Sequence, residues 1–132
     1  MTYRLVLFLA SAVFLGAAIS LFAEEAGPGR EPPPLQSGKA SYYSNRLKNR
    51  PTANGERYRP DKLTAAHPRL PFGTLVRVTR PKTGQSVMVR INDRGPYAGG
   101  RIIDLSRKAA EALGMVRAGV ARVTVEVITL GE

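Results

Sequence analysis

The segment INDRGPYAGGRIIDLS, residues 91–106, contains two of the three aspartates of a strongly basic chain. An aspartate side chain can transfer a proton in a reaction, or it can hydrogen-bond to the backbone of a turn. Asp93 follows an apolar, strand-like run and precedes a Gly-Pro pair, so it stands at a strand end, where functional groups are often presented. Because Asn-Asp-x-Gly-Pro is also a common turn sequence, both an acid for proton transfer and a turn-forming residue remain open for Asp93.

Asp104 has a different sequence environment, because it lies between Ile103 and Leu105 in a short apolar run. A carboxylate in such a strand is expected to pair with an arginine or to accept backbone hydrogen bonds. Arg94 or Arg101 could serve as that arginine. We therefore predict that Asp104 has a structural role near the site rather than a chemical one.

Two further groups could take part in chemistry, Glu56 and the only histidine of the chain, His67. The Asn54-Gly55 pair in TANGE predicts a tight turn that directs Glu56 outward, although a solvated glutamate beside neighbouring arginines is the alternative. His67 in TAAHP fits an orienting or acid–base partner, or a histidine at the edge of the core that bonds to the backbone. The sequence leaves both pairs of interpretations open.

Composition excludes several function classes. The chain has no cysteine and one histidine, so we expect neither a metal site nor a cofactor. A G-x-S-x-G nucleophile motif is missing, which argues against a serine hydrolase. The formal charge of +10 favours an anionic partner, but no nucleic-acid-binding motif is found, so nucleic acid is not expected. Anionic polymers of a bacterial envelope are the remaining candidate partner.

The chain divides into three parts by composition. Residues 5–23 are uncharged and mostly apolar and follow Arg4, which predicts an export signal within residues 1–23, either cleaved or retained as a membrane anchor. Residues 24–37 include three consecutive prolines and predict a linker. One domain, expected to be a monomer, is predicted over 38–130. We expect an exported, periplasmic or cell-envelope protein and, without a cysteine to acylate, not a lipoprotein.

Alternating apolar residues predict most of the strands of this domain. The predicted strands cover residues 38–43, 74–80, 86–91, 101–105 and 120–130. A PKTG turn joins the second and third of these into a hairpin, whose inward face is expected to carry Val76, Val78, Val87, Val89 and Ile91.

One short helix is predicted over residues 107–113, because Ser106 fits an N-cap and Gly114 fits a C-terminal stop. Five or six short strands with one helix indicate an all-β fold. A small closed barrel removes the sheet edges and buries the alternating valines, so it is the expected architecture. Since Tyr42 and Tyr43 are adjacent in a strand, one should point inward and the other outward, where it could stack on a sugar or pack on the barrel.

Six ordered motifs together resemble the rare lipoprotein A family of septal-ring lytic transglycosylases. These motifs are GKASYY (38–43), TANGE (52–56), LTAAHPRLPFGTLVRVT (63–79), VRINDRGPY (89–97), GRIIDLSRKAAEALGM (100–115) and GVARVTVEV (119–127). The resemblance implies a six-stranded double-psi β-barrel. It also implies endolytic cleavage of peptidoglycan between N-acetylmuramic acid and N-acetylglucosamine, leaving 1,6-anhydromuramoyl ends, on glycan strands poor in stem peptides.

By this resemblance Asp93 in NDRGP corresponds to the acid of the family, with Glu56 and His67 beside it as the other catalytic residues. A single carboxyl group that protonates the leaving oxygen must start protonated, and Glu56 nearby is expected to favour that state. The predicted substrate-binding residues are Tyr42, Tyr43, Asn54 and Arg94.

Two features keep a second hypothesis open. Residues 44–51, SNRLKNRP, stand where the family usually carries a glycine, an aromatic residue, a polar residue and another glycine. Expansin-like barrels, moreover, bind polysaccharide without cutting it. A non-catalytic wall-binding module is therefore the alternative to an enzyme.

Overall fold

The computed structural model describes residues 35–132, so the predicted export signal, the possible membrane association through residues 5–23 and nearly all of the predicted linker lie outside it. The strands are β1 (Gln36–Tyr42), β2 (Thr64–Ala66), β3 (Leu75–Arg80), β4 (Gln85–Asp93), β5 (Arg101–Leu105) and β6 (Ala121–Thr129). A 3-10 helix covers Asn45–Leu47, and the α-helix α1 covers Arg107–Ala112. Within the described residues, none of the helices has the length and apolar character needed to cross a membrane.

The six strands close into a barrel in the order β1-β5-β2-β4-β3-β6, and β6 pairs back with β1. The β1–β5 and β2–β4 pairs are parallel, whereas the other four pairs are antiparallel. Closure leaves no unpaired sheet edge. The predicted fold, an all-β six-stranded double-psi β-barrel with one short helix, is confirmed.

Alternating apolar residues of the strands fill the interior of the barrel, as predicted. Val76 pairs with Val89 and Val78 with Val87 across the β3–β4 hairpin. The residues with no solvent exposure include Val76, Val78, Val89, Ile91, Ile103, Leu105 and Val123, and Val87 and Val127 pack against them partly buried. Helix α1 covers one side with its alanines and begins at the predicted N-cap, Ser106, whose hydroxyl accepts the Ala109 N–H.

The sequence pattern missed strand β2 and placed the start of β1 two residues too late. All three residues of β2 are buried, so no alternation of polar and apolar side chains marks it. Strand β1 already begins at Gln36, because Gln36 pairs with Val125 of β6.

A β-bulge in the β2–β4 pair decides where Asp93 points. Ala65 lies opposite Ile91, but the next residue, Ala66, lies opposite Asp93, so Asn92 is the extra residue of β4. Since Ile91 points into the core, the bulge leaves Asp93 on the outer side of the barrel together with Ala66.

One row of outward-facing residues therefore crosses four neighbouring strands at this end of the barrel. In strand order β4, β2, β5 and β1, the row consists of Asp93, Ala66, Asp104 and Ser41. Adjacent strands lie about 4.8 Å apart, so the backbones of the two aspartates are separated by about 10 Å. The fold thus brings both aspartates of residues 91–106 to one outer face.

Candidate active site

Asp93 ends strand β4, and its carboxyl group accepts three hydrogen bonds from uncharged donors. Oδ1 accepts the backbone N–H of Ala53 at 2.8 Å and that of Arg94 at 2.9 Å, and Oδ2 accepts the hydroxyl of Tyr43. Four ion pairs form among residues 35–132, and none of them includes Asp93. The group is thus held in place by hydrogen bonds and not by an ion pair with any described residue.

Tyr43 is the outward member of the tyrosine pair and the side chain that reaches Asp93. Its ring stacks on Tyr58 with the centroids 4.5 Å apart. Burial, and then the hydrogen bond to Asp93, raise the pKa of Tyr43 far above its usual value, so the hydroxyl keeps its proton. Tyr42 instead packs against the core, where its hydroxyl donates to the Val116 carbonyl at 2.8 Å. The structure therefore brings Tyr43, and not Tyr42, to Asp93.

The loop of residues 52–56 positions one of the donors to Asp93. Gly55 has a φ of 92°, which glycine adopts without strain, and the loop turns tightly there as the sequence indicated. The Asn54 side chain stabilises the turn by accepting the Thr52 hydroxyl at 2.7 Å and the Glu56 N–H at 3.1 Å. Asn54 thus shapes the loop, and the loop places the Ala53 N–H on Asp93.

Glu56 faces an arginine rather than Asp93. Its two carboxylate oxygens accept Arg90 Nη1 at 2.8 Å and Nη2 at 3.0 Å, and Oε1 also accepts the side-chain amides of Asn54 and Asn92. The Arg90 hydrogen bonds, followed by that of Asn54, lower the pKa of Glu56 to about 2. At neutral pH Glu56 is ionised and its charge is compensated by Arg90, so it is not arranged to keep Asp93 protonated as the sequence suggested.

His67 is buried, and both of its ring nitrogens have partners. Nδ1 accepts the backbone N–H groups of Arg69 and Leu70, each at 3.1 Å, so Nε2 carries the proton and donates to Gln36 at 2.9 Å. Burial, and then nearby arginine charges, lower the pKa of His67 to about 4. Its backbone N–H donates to the Asp93 carbonyl at 3.1 Å, so His67 fixes the backbone beside Asp93 rather than contacting its carboxyl group.

Arg94 and Asp104 have structural partners. The Arg94 guanidinium lies 3.9 Å from the centroid of the Phe72 ring and donates to the His67 carbonyl at 3.2 Å. Asp104 accepts Arg101 Nη1 at 2.7 Å and the Ser41 hydroxyl, so Arg101 is the arginine that pairs with it. Both residues border the site, but neither touches the Asp93 carboxyl group with its side chain.

Sequence reasoning missed three side chains that build this site, namely Arg90, Asn92 and Tyr58. The alternation of β4 does mark Arg90 as outward, but its partner Glu56 lies 34 residues away in sequence. The alternation of β4 does not predict the position of Asn92, because Asn92 is the extra residue of the bulge. Tyr58 lies in a stretch with no periodic pattern. Within residues 35–132, moreover, no three His, Cys, Asp or Glu side chains come together to hold a metal ion.

The sequence profile of one protein family, described as lytic transglycolase, matches residues 35–125. Among individual proteins, the chain is 57% identical over 93 residues to a probable endolytic peptidoglycan transglycosylase RlpA of Nostoc sp. (69% of this chain, 25% of the relative). It is 52% identical over 97 residues to the endolytic peptidoglycan transglycosylase RlpA of Neisseria meningitidis serogroup A (74% and 41%). The Vibrio cholerae protein of that name is 50% identical over 97 residues (74% and 37%).

Solved structures share the barrel. A Streptomyces papain inhibitor superposes with a TM-score of 0.59 at 24% identity, covering 72% of this chain and 94% of its own, which shows a common fold. An expansin of Clavibacter michiganensis superposes with a TM-score of 0.58 at 25% identity, covering 75% and 52%.

The sequence match covers the barrel but only part of each relative. The chain spans 25% to 41% of the length of the Nostoc and Neisseria relatives, so the activity of those whole proteins does not transfer with the match. The family profile, however, covers nearly the whole barrel. The chain therefore belongs to the lytic transglycolase family.

Proposed function

We propose that this protein is an endolytic peptidoglycan lytic transglycosylase that cleaves the β-1,4 bond between N-acetylmuramic acid and N-acetylglucosamine. The observation that carries the proposal is the carboxyl group of Asp93, presented outward at a strand end by uncharged donors. The family match, and the activity for which the relatives are named, give the reaction class.

The two oxygens of Asp93 have different parts in the proposed reaction. Oδ1 is occupied by two backbone N–H groups, so Oδ2 is the oxygen that gives and takes the proton. The Tyr43 hydroxyl donates to Oδ2, and a protonated carboxyl oxygen can still accept this bond while its own proton points to the substrate. Tyr43 therefore positions Oδ2 in both protonation states.

The proposed steps balance without water. Protonated Oδ2 donates its proton to the glycosidic oxygen, and the bond between that oxygen and C1 of the muramoyl residue breaks. The C6 hydroxyl oxygen of the same residue bonds to C1, and its proton passes to Oδ2. The products are a 1,6-anhydromuramoyl end and a new N-acetylglucosamine 4-hydroxyl, and Asp93 is again protonated.

Glu56 and His67 support this chemistry through the partners that they bind. Glu56 remains ionised and paired with Arg90, so in this proposal it positions the loop and does not stabilise charge on the sugar. Through Asn54, Glu56 holds the loop that donates to Asp93. His67 stays neutral and fixes the backbone behind Asp93. Of the predicted catalytic residues, Asp93 alone transfers protons in this proposal.

The proposed substrate places the protein at the cell wall, in the periplasm or envelope, and the proposed form of the substrate is glycan poor in stem peptides. Relatives that act on peptidoglycan support this location. The proposed partner is the glycan strand itself, bound by a monomer.

One observation favours a second candidate function, a non-catalytic module that binds wall polysaccharide. The chain also resembles the expansin of Clavibacter michiganensis in a structure described as a complex with cellohexaose, with a TM-score of 0.57 at 25% identity. An expansin that contains a barrel of this kind therefore binds an oligosaccharide.

Cleavage of purified glycan strands in water enriched in oxygen-18 separates the two candidates. We expect anhydromuramoyl products without the heavy isotope, detected by mass spectrometry, and none from Asp93→Asn. Reducing ends carrying oxygen-18 would indicate a hydrolase instead. Binding without any product, from strands with and without stem peptides, would leave the wall-binding module.

A further inference from the structure

A basic pocket of about 560 Å³ lies on the outer surface beside Glu56. Four basic side chains line it, together with one carboxylate, that of Glu56, and the amide of Asn92. The basic residues are Arg57, Arg59, Lys62 and Arg90. The lining of the pocket thus carries an excess of positive charge. None of these four basic side chains takes part in the proposed proton transfers.

The local structure explains why these cations converge. Arg57 forms a β-bridge with Pro51, and Tyr58 is buried, so the alternation of an extended chain turns Arg57 and Arg59 to the same outer side. Arg90 points outward from β4 because Val89 and Ile91 on either side of it fill the core. The pocket forms where these two stretches meet.

The segment that leads into β2 completes the pocket. The N–H of Arg90 donates to the Leu63 carbonyl at 3.1 Å, which holds Lys62 beside the same strand. The backbone of the pocket is therefore fixed on both sides before any ligand is bound.

The four basic side chains differ in the partners that they have among the described residues. Arg90 is occupied by both oxygens of Glu56, and Arg57 Nη1 donates to the Asn49 carbonyl at 2.7 Å. Arg59 and Lys62 take part in none of the four ion pairs of residues 35–132. Since charge-assisted hydrogen bonds to carboxylates are the strong interactions of such groups, an anionic ligand fits here.

Residues that line the pocket adjoin the residues that hold the Asp93 carboxyl group, although Asp93 itself does not line the pocket. Asn92, which lines the pocket, precedes Asp93 in β4, and Glu56 ends the loop whose Ala53 N–H donates to Asp93. We therefore expect a strand bound with its scissile bond at Asp93 to place a substituent of a neighbouring sugar at the pocket. The sugar rings of peptidoglycan are neutral, so an anion must come from a substituent of the muramoyl residue.

We infer that Arg59 and Lys62 bind a carboxylate carried by a muramoyl residue of the strand that Asp93 cleaves. The inference rests on the proposed function and adds a specificity subsite to it. The carboxylate belongs to the lactyl group on a peptide-free strand, or to the stem peptide on a substituted one. The same two cations serve either source, and substrate chemistry distinguishes them.

Calorimetric binding to the full-length chain tests this, with Asp93→Asn as the background so that no strand is cut. The ligands are peptide-free glycan strands, the same strands with their lactyl carboxylates converted to methylamides, and strands that keep their stem peptides. We expect the peptide-free strands to bind about tenfold more tightly than the amidated ones, the effect of one charge-assisted hydrogen bond or ion pair.

A matched pair of double variants separates the pocket from the general charge of the protein. Arg59→Gln with Lys62→Gln should remove the preference for the unamidated strand. Lys82→Gln with Arg122→Gln removes two exposed cations that lie together at a separate pocket, beside the β3–β4 turn at the other end of β4, and should keep the preference.

Each outcome decides a different question. Tighter binding of peptide-free strands than of peptide-bearing strands assigns the pocket to the lactyl carboxylate, and the reverse order assigns it to the peptide. Equal binding of free and amidated strands, with no gain from the stem peptide, overturns the inference and leaves the proposed cleavage intact. Missing anhydro products from the unmodified enzyme overturn the proposed function instead.

Discussion

Asp93 and Asp104 lie on the same outward row of the barrel, and Ala66 of β2 lies between them. Their carboxyl groups nevertheless have different partners. Asp104 accepts the guanidinium of Arg101 at 2.7 Å and the Ser41 hydroxyl. Asp93 accepts two backbone N–H groups and the hydroxyl of Tyr43, all of them uncharged. The difference lies in the donors and not in the position of the strands.

These two environments underlie the different roles that we propose for the two aspartates. A carboxylate paired with arginine is stabilised in its charged form and contributes to structure. The Asp93 carboxyl group is held in place by uncharged donors and forms no ion pair among residues 35–132. Glu56 is also paired with an arginine, so we assign it a structural role like that of Asp104.

The largest stability effect that we predict concerns His67, whose backbone N–H donates to the Asp93 carbonyl. The unfolded chain protonates its histidine near pH 6.5, but the folded chain does so only near pH 4. Between these values the unfolded state binds more protons, so stability is present above pH 6.5 and is lost as the pH falls. We expect a loss of about 2 kcal/mol between pH 6.5 and 5, measured by urea unfolding.

The chain has one histidine, so His67→Gln should remove most of this pH dependence. The Asp104→Ala variant should keep it, because Asp104 is not in contact with the ring. If the free energy of unfolding of His67→Gln kept the same pH dependence, the His67 ring would not be the buried neutral group described here.

The next prediction concerns Tyr43→Phe, which removes the hydroxyl bound to Asp93 and keeps the ring stacked on Tyr58. We expect turnover of glycan strands to fall about tenfold, the effect of one hydrogen bond to an ionisable group. Substrate affinity and the thermal midpoint should change little. Tyr42→Phe, which loses a bond to a backbone carbonyl far from Asp93, is the matched control and should keep its turnover.

The Asp104→Ala variant, at the other aspartate of the row, should lower the stability of the fold and leave turnover nearly unchanged. The pair with Arg101 is partly exposed, so we expect a loss of about 1 kcal/mol, or roughly 4 to 8 °C in the thermal midpoint. Turnover below the melting transition should stay within threefold of the unmodified protein. A stable Asp104→Ala variant with strongly reduced turnover would reverse the roles assigned to the two aspartates.

The smallest effect is expected for the Glu56–Arg90 pair in acid. The pKa of Glu56 is lowered to about 2 from an ordinary value of 4.5, so its contribution is present above pH 4.5 and is lost as the pH falls towards 2. Both side chains are more than two fifths exposed, so the loss should be about 1 kcal/mol or less. Thermal unfolding of Glu56→Gln should show a weaker pH dependence in this range, and identical curves would argue against the pair.

Much of the fold could be predicted from local patterns. The β3–β4 hairpin was predicted at 74–80 and 86–91 and observed at Leu75–Arg80 and Gln85–Asp93, since its valines alternate and its turn contains glycine and proline. The helix was predicted one residue too long, at 107–113. Strand β2 could not be predicted, because a fully buried strand of three residues carries no alternation.

Some residues of the candidate site could be predicted from the sequence, but their contacts could not. Tyr43 and Asp93 are 50 residues apart in sequence, and their contact depends on the β2–β4 bulge and on two parallel strand pairs. The pairing of Glu56 with Arg90 likewise depends on the path of a loop without periodic pattern. Local sequence thus gives candidate residues, whereas register decides which donors surround each carboxylate.

The turnover of Asp93→Asn beside Asp104→Asn, measured as anhydromuramoyl ends released from the same glycan strands, decides whether Asp93 is the acid. Each variant removes one ionisable group from the same row with minimal change of shape. We predict a loss of about a thousandfold for Asp93→Asn, the usual range of general acid–base catalysis, and less than threefold for Asp104→Asn. Equal losses in the two variants, or an Asp93→Asn protein that keeps a tenth of its turnover, would contradict this assignment.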